Sequence, residues 1–244
     1  MDGLKILSAG DSALFCRFSK NIDLVVNRKV MLLAESLERE KVEGVIELMP
    51  SYSGIMIYFN PIRTSFSALK DILLEKISRI DTITLDKETS LISLPVCYEI
   101  EFGPDLPVVA EKNKLSINEV IEIHSSPMYR IYMLGFTPGF PYLGGMDDRI
   151  ITPRKSEPRL KIEAGSVGIA GSQTGIYPLE SPGGWQIIGK TPLKLFDTHQ
   201  NPASLLKAGM HIKFQPIDRK MFDDISNDVA NRSYTISLSK LSGE

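Results

Sequence analysis

Glycine and proline crowd into one stretch of this sequence. Residues 135–192 hold 11 of the 18 glycines, 7 of the 15 prolines and the single tryptophan of a 244-residue chain. Glycine is needed where the backbone takes positive φ or lets another group come close. Proline fixes φ and removes a donor, so the joint density implies a backbone held in specific turns. A loop that merely connects has no use for that. Two β-forming runs, Gly165 to Ala170 and Trp185 to Ile188, lie between the turns and read as brief strands. The stretch predicts a shaped, β-rich surface around which the rest of the chain is arranged.

The N-terminal third is patterned differently. Ala13 to Phe18 reads as a strand after the turn residues Gly10-Asp11-Ser12, and residues 23–40 carry Val26, Val30, Leu33 and Leu37 at the spacing of an amphipathic helix. Gly44 to Met49 and Ile55 to Phe59 are β-forming runs separated by Pro50-Ser51-Tyr52-Ser53-Gly54, a hairpin signal. A second helix fits residues 65–79, with Phe66, Leu69, Leu73 and Ile77 on one side and Thr64 or Ser65 as its cap. The order predicts a small α+β sandwich with helices on one face of an antiparallel sheet. Nothing in it carries recognisable chemistry.

The polar run Asp81 to Ser90 marks a boundary. Beyond it Leu91 to Tyr98 reads as a strand, Pro104 and Pro107 introduce a short helix, and Ser116 with Glu119 forms a capping box for a helix to about Ser125. Met128 to Phe136 is a strand leading into the glycine-rich stretch. After Pro192 come an expected strand, Leu193 to Phe196, a helical turn, Pro202 to Lys207, and a strand, Met210 to Phe214, ended by Pro216. Many short strands with few helices predict a closed or nearly closed β-barrel. A charged helix, Asp218 to Val229, and a β segment, Tyr234 to Leu238, follow. The fold class is α+β, with domains over residues 1–88 and 89–216 and a C-terminal helix and strand over 217–244.

Composition narrows the function. With 43% hydrophobic and 24% charged residues the chain is ordinary globular protein, and a formal charge of −2 offers no field for nucleic acid. Cys16 and Cys97 lie far apart without CxxC spacing, so two buried free thiols are expected rather than a disulfide or a zinc site. No window approaches the roughly 20 apolar residues of a membrane span, nor does the N-terminus resemble a signal peptide. These features predict a soluble, cytoplasmic protein without metal or membrane.

Gly184 to Thr191 matches the Walker A pattern GxxxxGK[ST]. A phosphate loop needs a compact interior and a helix opening at the lysine. The interior here is Trp-Gln-Ile-Ile, and Pro192 follows Thr191 and favours extended geometry there, so a strand is expected. His124, His199 and His211 share no metal or triad spacing, and no GxSxG elbow occurs. His124 is a candidate general base, set against the simpler reading of a histidine closing a helix.

The cluster Arg149, Arg154, Lys155, Arg159 and Lys161 faces one acid, Glu157, and Pro153 and Pro158 fix two of its arginines. It reads either as a grip for a carboxylate or phosphate or as a solvated turn. Phe136, Phe140, Tyr142, Tyr177 and Trp185 accompany it, as in ligand pockets and partner hot spots. A packed aromatic core competes with that reading.

GFTPGFPYLGG, PRKSEPR, AGSVGIAGSQTGIYPLESPGGWQIIGKTPLKLFD and LPVCYEIEFGPDL carry a resemblance to the family of the 5-oxoprolinase B subunit, allophanate hydrolase subunit 1 and the Kip inhibitor of the sporulation histidine kinase. The resemblance implies an N-terminal α+β domain followed by a cyclophilin-like barrel. It implies ATP-dependent opening of 5-oxo-L-proline to L-glutamate by a complex with an allophanate hydrolase subunit 2-like protein and a third subunit, the chain alone being inactive. Arg154 and Arg159 would then hold anionic groups, Gln173 would read the lactam amide, and Tyr142, Tyr177 and Trp185 would wall the pocket. Phe136, Phe140, Pro182, Gly183 and Gly184 would face the partner. The alternative the family offers is inhibition of a sensor histidine kinase through the same surface. A carboxyltransferase or allophanate hydrolase-type subunit is a weaker alternative, and no Met-Lys-Met biotin site is present.

Overall fold

The computed structural model describes residues 3–20, 23–80 and 89–241. The chain falls into two compact units, Met1–Asp86 and Lys87–Glu244, and each has its own hydrophobic core. The segment Asp81 to Ser90, read above as the boundary, lies outside the described residues except for its last two.

The first unit runs β1 (Lys5–Ser8), β2 (Ala13–Arg17), α1 (Leu24–Glu40), β3 (Val45–Pro50), β4 (Gly54–Phe59) and α2 (Phe66–Ile80). Its strands form an antiparallel sheet in the order β1-β2-β4-β3. Helix α1 starts where extended Asp23 accepts hydrogen bonds from Val25 N and Val26 N at 2.8 and 3.1 Å. Val30, Leu33 and Leu37 then meet Leu69, Leu73 and Ile77 of α2 over Leu14, Cys16, Ile55 and Ile57, alternate residues of the two central strands. Burial pushes the Cys16 thiol up to about 12, so it packs as an inert small hydrophobe. Strand β1, with only Ile6 and Leu7 as apolar residues, carries no β signal in the sequence and forms as an edge partner of β2.

The second unit adds β5 (Thr89–Cys97), α3 (Leu106–Asn113), α4 (Ile117–Ser125), β6 (Met128–Leu134), β7 (Pro141–Gly144), a 3-10 turn (Asp148–Ile150), β8 (Arg159–Ile162), β9 (Ser166–Ala170), β10 (Gln173–Ile176), β11 (Ser181–Gly183), β12 (Gln186–Lys190), β13 (His211–Ile217), α5 (Arg219–Ala230) and β14 (Leu238–Leu241). The main sheet has the order β10-β9-β12-β5-β13-β6-β7, with β14 also on β5. Its end strands β10 and β7 lie side by side, which nearly closes a barrel. The capping box of α4 is present as expected, and α3 and α4 bury Val109, Val120 and Ile123 with barrel residues Leu94, Val96, Ile131, Val167, Ile188 and Phe214.

Four expectations need correction. Residues 193–196 form no strand; Leu193 and Leu195 are buried and Lys194 exposed, which imitates strand alternation, but only Phe196 is bridged, to Ser204. Pro202 to Lys207 forms bends, not a helical turn. Strand β13 does not stop at Pro216 but runs to Ile217, parallel to β5. Its pairing with β6 covers only His211 to Lys213, so the proline sits where no second neighbour asks for an N–H. The last strand begins at Leu238 instead of Tyr234 and, with α5, belongs to the second unit.

Candidate functional site

Beneath the glycine-rich turns lies a small aromatic cluster distinct from the barrel core: Phe140, Ile162, Ala170, Tyr177, Trp185 and Ile187, with Tyr142 at its edge. Phe140 is the hub. Its ring meets Tyr142, Tyr177 and Trp185 edge to face at 5.2, 5.5 and 5.5 Å, the arrangement the ring quadrupole favours. Two glycines leave the room. A Cβ on Gly175 would come within 3.0 Å of the Trp185 ring and 3.1 Å of Phe140, and one on Gly183 within 2.4 Å of the Tyr177 hydroxyl. Burial pushes Tyr177 up to about 12 against the opposing charge of Arg154 and the Trp185 N–H, so its hydroxyl stays protonated.

This packing changes some of the expected roles. Trp185 is 6% exposed, and Tyr177 and Phe140 are 2% exposed, so these rings form a floor, not open walls, and Phe140 cannot face a partner. Phe136 can. It is 67% exposed at the β6–β7 hairpin tip, with φ at +64°, a conformation uncommon for a bulky residue, and packs edge to face on Phe140 at 5.7 Å. Pro182 is also exposed, on β11, whose ribbon with β8 carries Gly183 opposite Arg159.

The basic cluster sorts itself by partner. Arg149 pairs with Asp147 at 2.7 Å, Lys161 with Glu180 at 2.8 Å, and Lys155 and Arg159 with Asp105. The Arg159 guanidinium grips both Asp105 oxygens, at 2.7 and 2.8 Å, so its expected role of holding a ligand anion is replaced by an internal bond. Arg154 is the one cation of the five without a carboxylate partner among the described residues. It is exposed, stands 6.0 Å from the Trp185 ring centroid, and its charge reaches Tyr142 and Tyr177. Gln173 opens β10, and the turn before it is tied to the same loop by Gly171 N donating to Thr152 O at 2.8 Å. Three buried polar atoms of the region, Thr137 Oγ1, Ser181 Oγ and Gln186 Oε1, have no hydrogen-bond partner, which a native site leaves only with reason.

His124 lies outside this site and is no general base. It is fully buried, with Nδ1 2.8 Å from the Tyr98 hydroxyl and Nε2 2.9 Å from Thr174 Oγ1, which in turn donates to Gly168 O. That donation makes Thr174 an acceptor for His124 Nε2–H, so the ring is the neutral Nε2 tautomer, accepting from Tyr98. Burial lowers its pKa to about 3. The Walker-like segment is strand β12, its Lys190 paired with Glu163. Among the described residues no group of three His, Cys, Asp or Glu could hold a metal, and no helix is long and apolar enough to cross a membrane.

Residues 4–206 match the family model described as carboxyltransferase domain, subdomain C and D. The chain belongs to that family. It is 45% identical over 228 residues to the 5-oxoprolinase B subunit of Bacillus subtilis, covering 88% of this chain and 94% of the relative. It is 40% identical to the protein of the same name from Escherichia coli O157:H7, covering 85% and 93%. A solved structure of a conserved uncharacterized protein from Pyrococcus horikoshii is 47% identical over 89% of this chain and all of its own, with a TM-score of 0.53. Urea amidolyase of K. lactis shares the fold, with a TM-score of 0.82 at 22% identity, but this chain spans only 16% of it. In this member of the carboxyltransferase subdomain family the site residue that the sequence did not announce is Asp105. It stands inside the motif LPVCYEIEFGPDL, but its partners lie some fifty residues downstream and no local spacing points to them.

Proposed function

We propose that the chain is the B-type subunit of an ATP-dependent 5-oxoprolinase that opens 5-oxo-L-proline to L-glutamate, and that it acts only with partner subunits. The observation that carries this reading is the match along nearly the full length of relatives bearing that name, at 36–45% identity. The partners would be an allophanate hydrolase subunit 2-like protein and a third subunit, and ATP would be bound by one of them.

The geometry suggests what this chain would contribute. A lactam carbonyl is a poor electrophile because amide resonance feeds it; transfer of the ATP γ-phosphoryl group to its oxygen would let water add to the carbon, the adduct would expel the protonated ring nitrogen to leave a glutamyl phosphate, and a second water would release glutamate and phosphate. Such a site needs cations and fixed donors for the substrate carboxylate and the phosphoryl oxygens. Arg154 would supply the cation, Gln173 would read the lactam amide, and Tyr142 would border the ligand over the Trp185 floor. The exposed Phe136, with Pro182, Gly183 and Gly184, would meet the partner. The unpartnered Thr137, Ser181 and Gln186 atoms fit a half-site awaiting its complement.

Mixing the purified chain with its candidate partners tests the proposal. Glutamate release from 5-oxoproline and ATP is expected from the full mixture, and neither from this chain alone nor from the partners without it. Turnover by the isolated chain, or undiminished turnover in its absence, would overturn the reading.

A further inference from the structure

We infer that Asp105 is the positioning residue for Arg154: it fixes the loop of residues 153–159 so that the Arg154 guanidinium is presented, already oriented, to a carboxylate or phosphoryl oxygen. The inference rests on the substrate role proposed above for Arg154. Asp105 precedes α3 at the N-cap position, where an aspartate ordinarily accepts from the helix's own first N–H groups, yet its side chain makes no such bond. It is 3% exposed and gives its oxygens to Arg159 at 2.7 and 2.8 Å, Lys155 at 3.2 Å and Ile187 N at 2.7 Å. Its own N–H donates to Ile187 O at 2.9 Å. One carboxylate thus ties the far end of the loop to β12, the strand that follows Trp185.

The near end is tied to the same strand and its approach. Gln186 Nε2 donates to Pro153 O at 2.9 Å, and Lys155 N donates to Gly184 O at 2.7 Å. Both residues flanking Arg154 are therefore held, while Arg154 itself projects over Trp185. Burial pushes the Asp105 carboxyl up, but the bonds from Arg159 and Ile187 outweigh it and hold the group below the usual carboxylate range. A rigid loop around one outward guanidinium suits bidentate binding of a planar anion, and orientation fixed before binding is what such a contact rewards.

The test uses the reconstituted complex and three variants, with 5-oxoproline-dependent ATP hydrolysis as the readout and assembly and melting temperature as controls. Arg154→Ala reports on the substrate role itself. Arg159→Lys keeps the charge but cannot form the two parallel bonds, and Asp105→Asn removes the charge that gathers the loop. Both are expected to raise the KM for 5-oxoproline by roughly tenfold while kcat changes less than about twofold, with the complex intact. If Asp105→Asn fails to fold, Arg159→Lys decides. An unchanged KM in Arg159→Lys overturns the positioning role when Arg154→Ala raises KM, and an unchanged KM in Arg154→Ala overturns the substrate role with it.

Discussion

Arg154 and His124 show how the same physics assigns opposite fates to two polar residues. Arg154 is left exposed above an aromatic floor without a carboxylate partner among the described residues, and a charge-assisted contact to a ligand anion is worth about 1.5–3 kcal/mol. Arg154→Ala is therefore expected to lower kcat/KM of the assembled enzyme by roughly 10- to 100-fold, measured by steady-state kinetics, with melting temperature unchanged. His124 is instead sealed between Tyr98 and Thr174 and neutral down to about pH 3. The unfolded chain takes up that proton near pH 6.5, so stability falls as the pH drops from there towards 3, by at most about 1.4 kcal/mol per pH unit. In urea melts between about pH 7 and pH 5, where His124 takes up a proton only in the unfolded chain, His124→Gln should show a shallower loss of stability than the unaltered protein. Parallel slopes would refute the buried neutral assignment. Among single residues the sequence singled out this region because aromatic, basic and glycine residues are dense there. It could not tell Arg159 from Arg154, since only the distant Asp105 separates a structural guanidinium from a free one.

Among the elements, β12 is the one that the candidate site leans on. Its letters spell a phosphate loop, but bulky β-forming residues and the following Pro192 make it a strand, and its N-terminal end carries the anchors of the Arg154 loop. The glycines packed against the aromatic rings beneath this face are there for room. Gly175→Ala would put a methyl against the Trp185 and Phe140 rings, and overpacking of this kind costs about 1–3 kcal/mol. Gly183→Ala would press on the Tyr177 hydroxyl, and both variants should melt earlier by circular dichroism. Gly171→Ala, with nothing within 4 Å but φ at +61°, would report backbone strain alone. Helices with a cap and a clear apolar face, α1, α2 and α4, were legible because both signals are local. The misread elements were those decided by pairing: Leu193 and Leu195 alternate without a ladder, β14 is fixed by β5, and β13 tolerates Pro216 because its second neighbour has already ended.

For the molecule as a whole, the antiparallel sheet with two helices and the nearly closed barrel were predictable from the order of strand and helix patterns. The packing of the aromatic rings under the surface was not, because burial of a ring depends on which glycines lie against it. The proposed function requires the Arg154 and Trp185 face to be half of a site that another subunit completes. Trp185 is the single tryptophan of the chain, so incorporating 5-fluorotryptophan gives one fluorine resonance placed under that face. That resonance should shift when the partner subunits are added, and shift again on addition of 5-oxoproline only in the assembled complex. A resonance unmoved by the partners, and by 5-oxoproline in their presence, would contradict a shared site at this face.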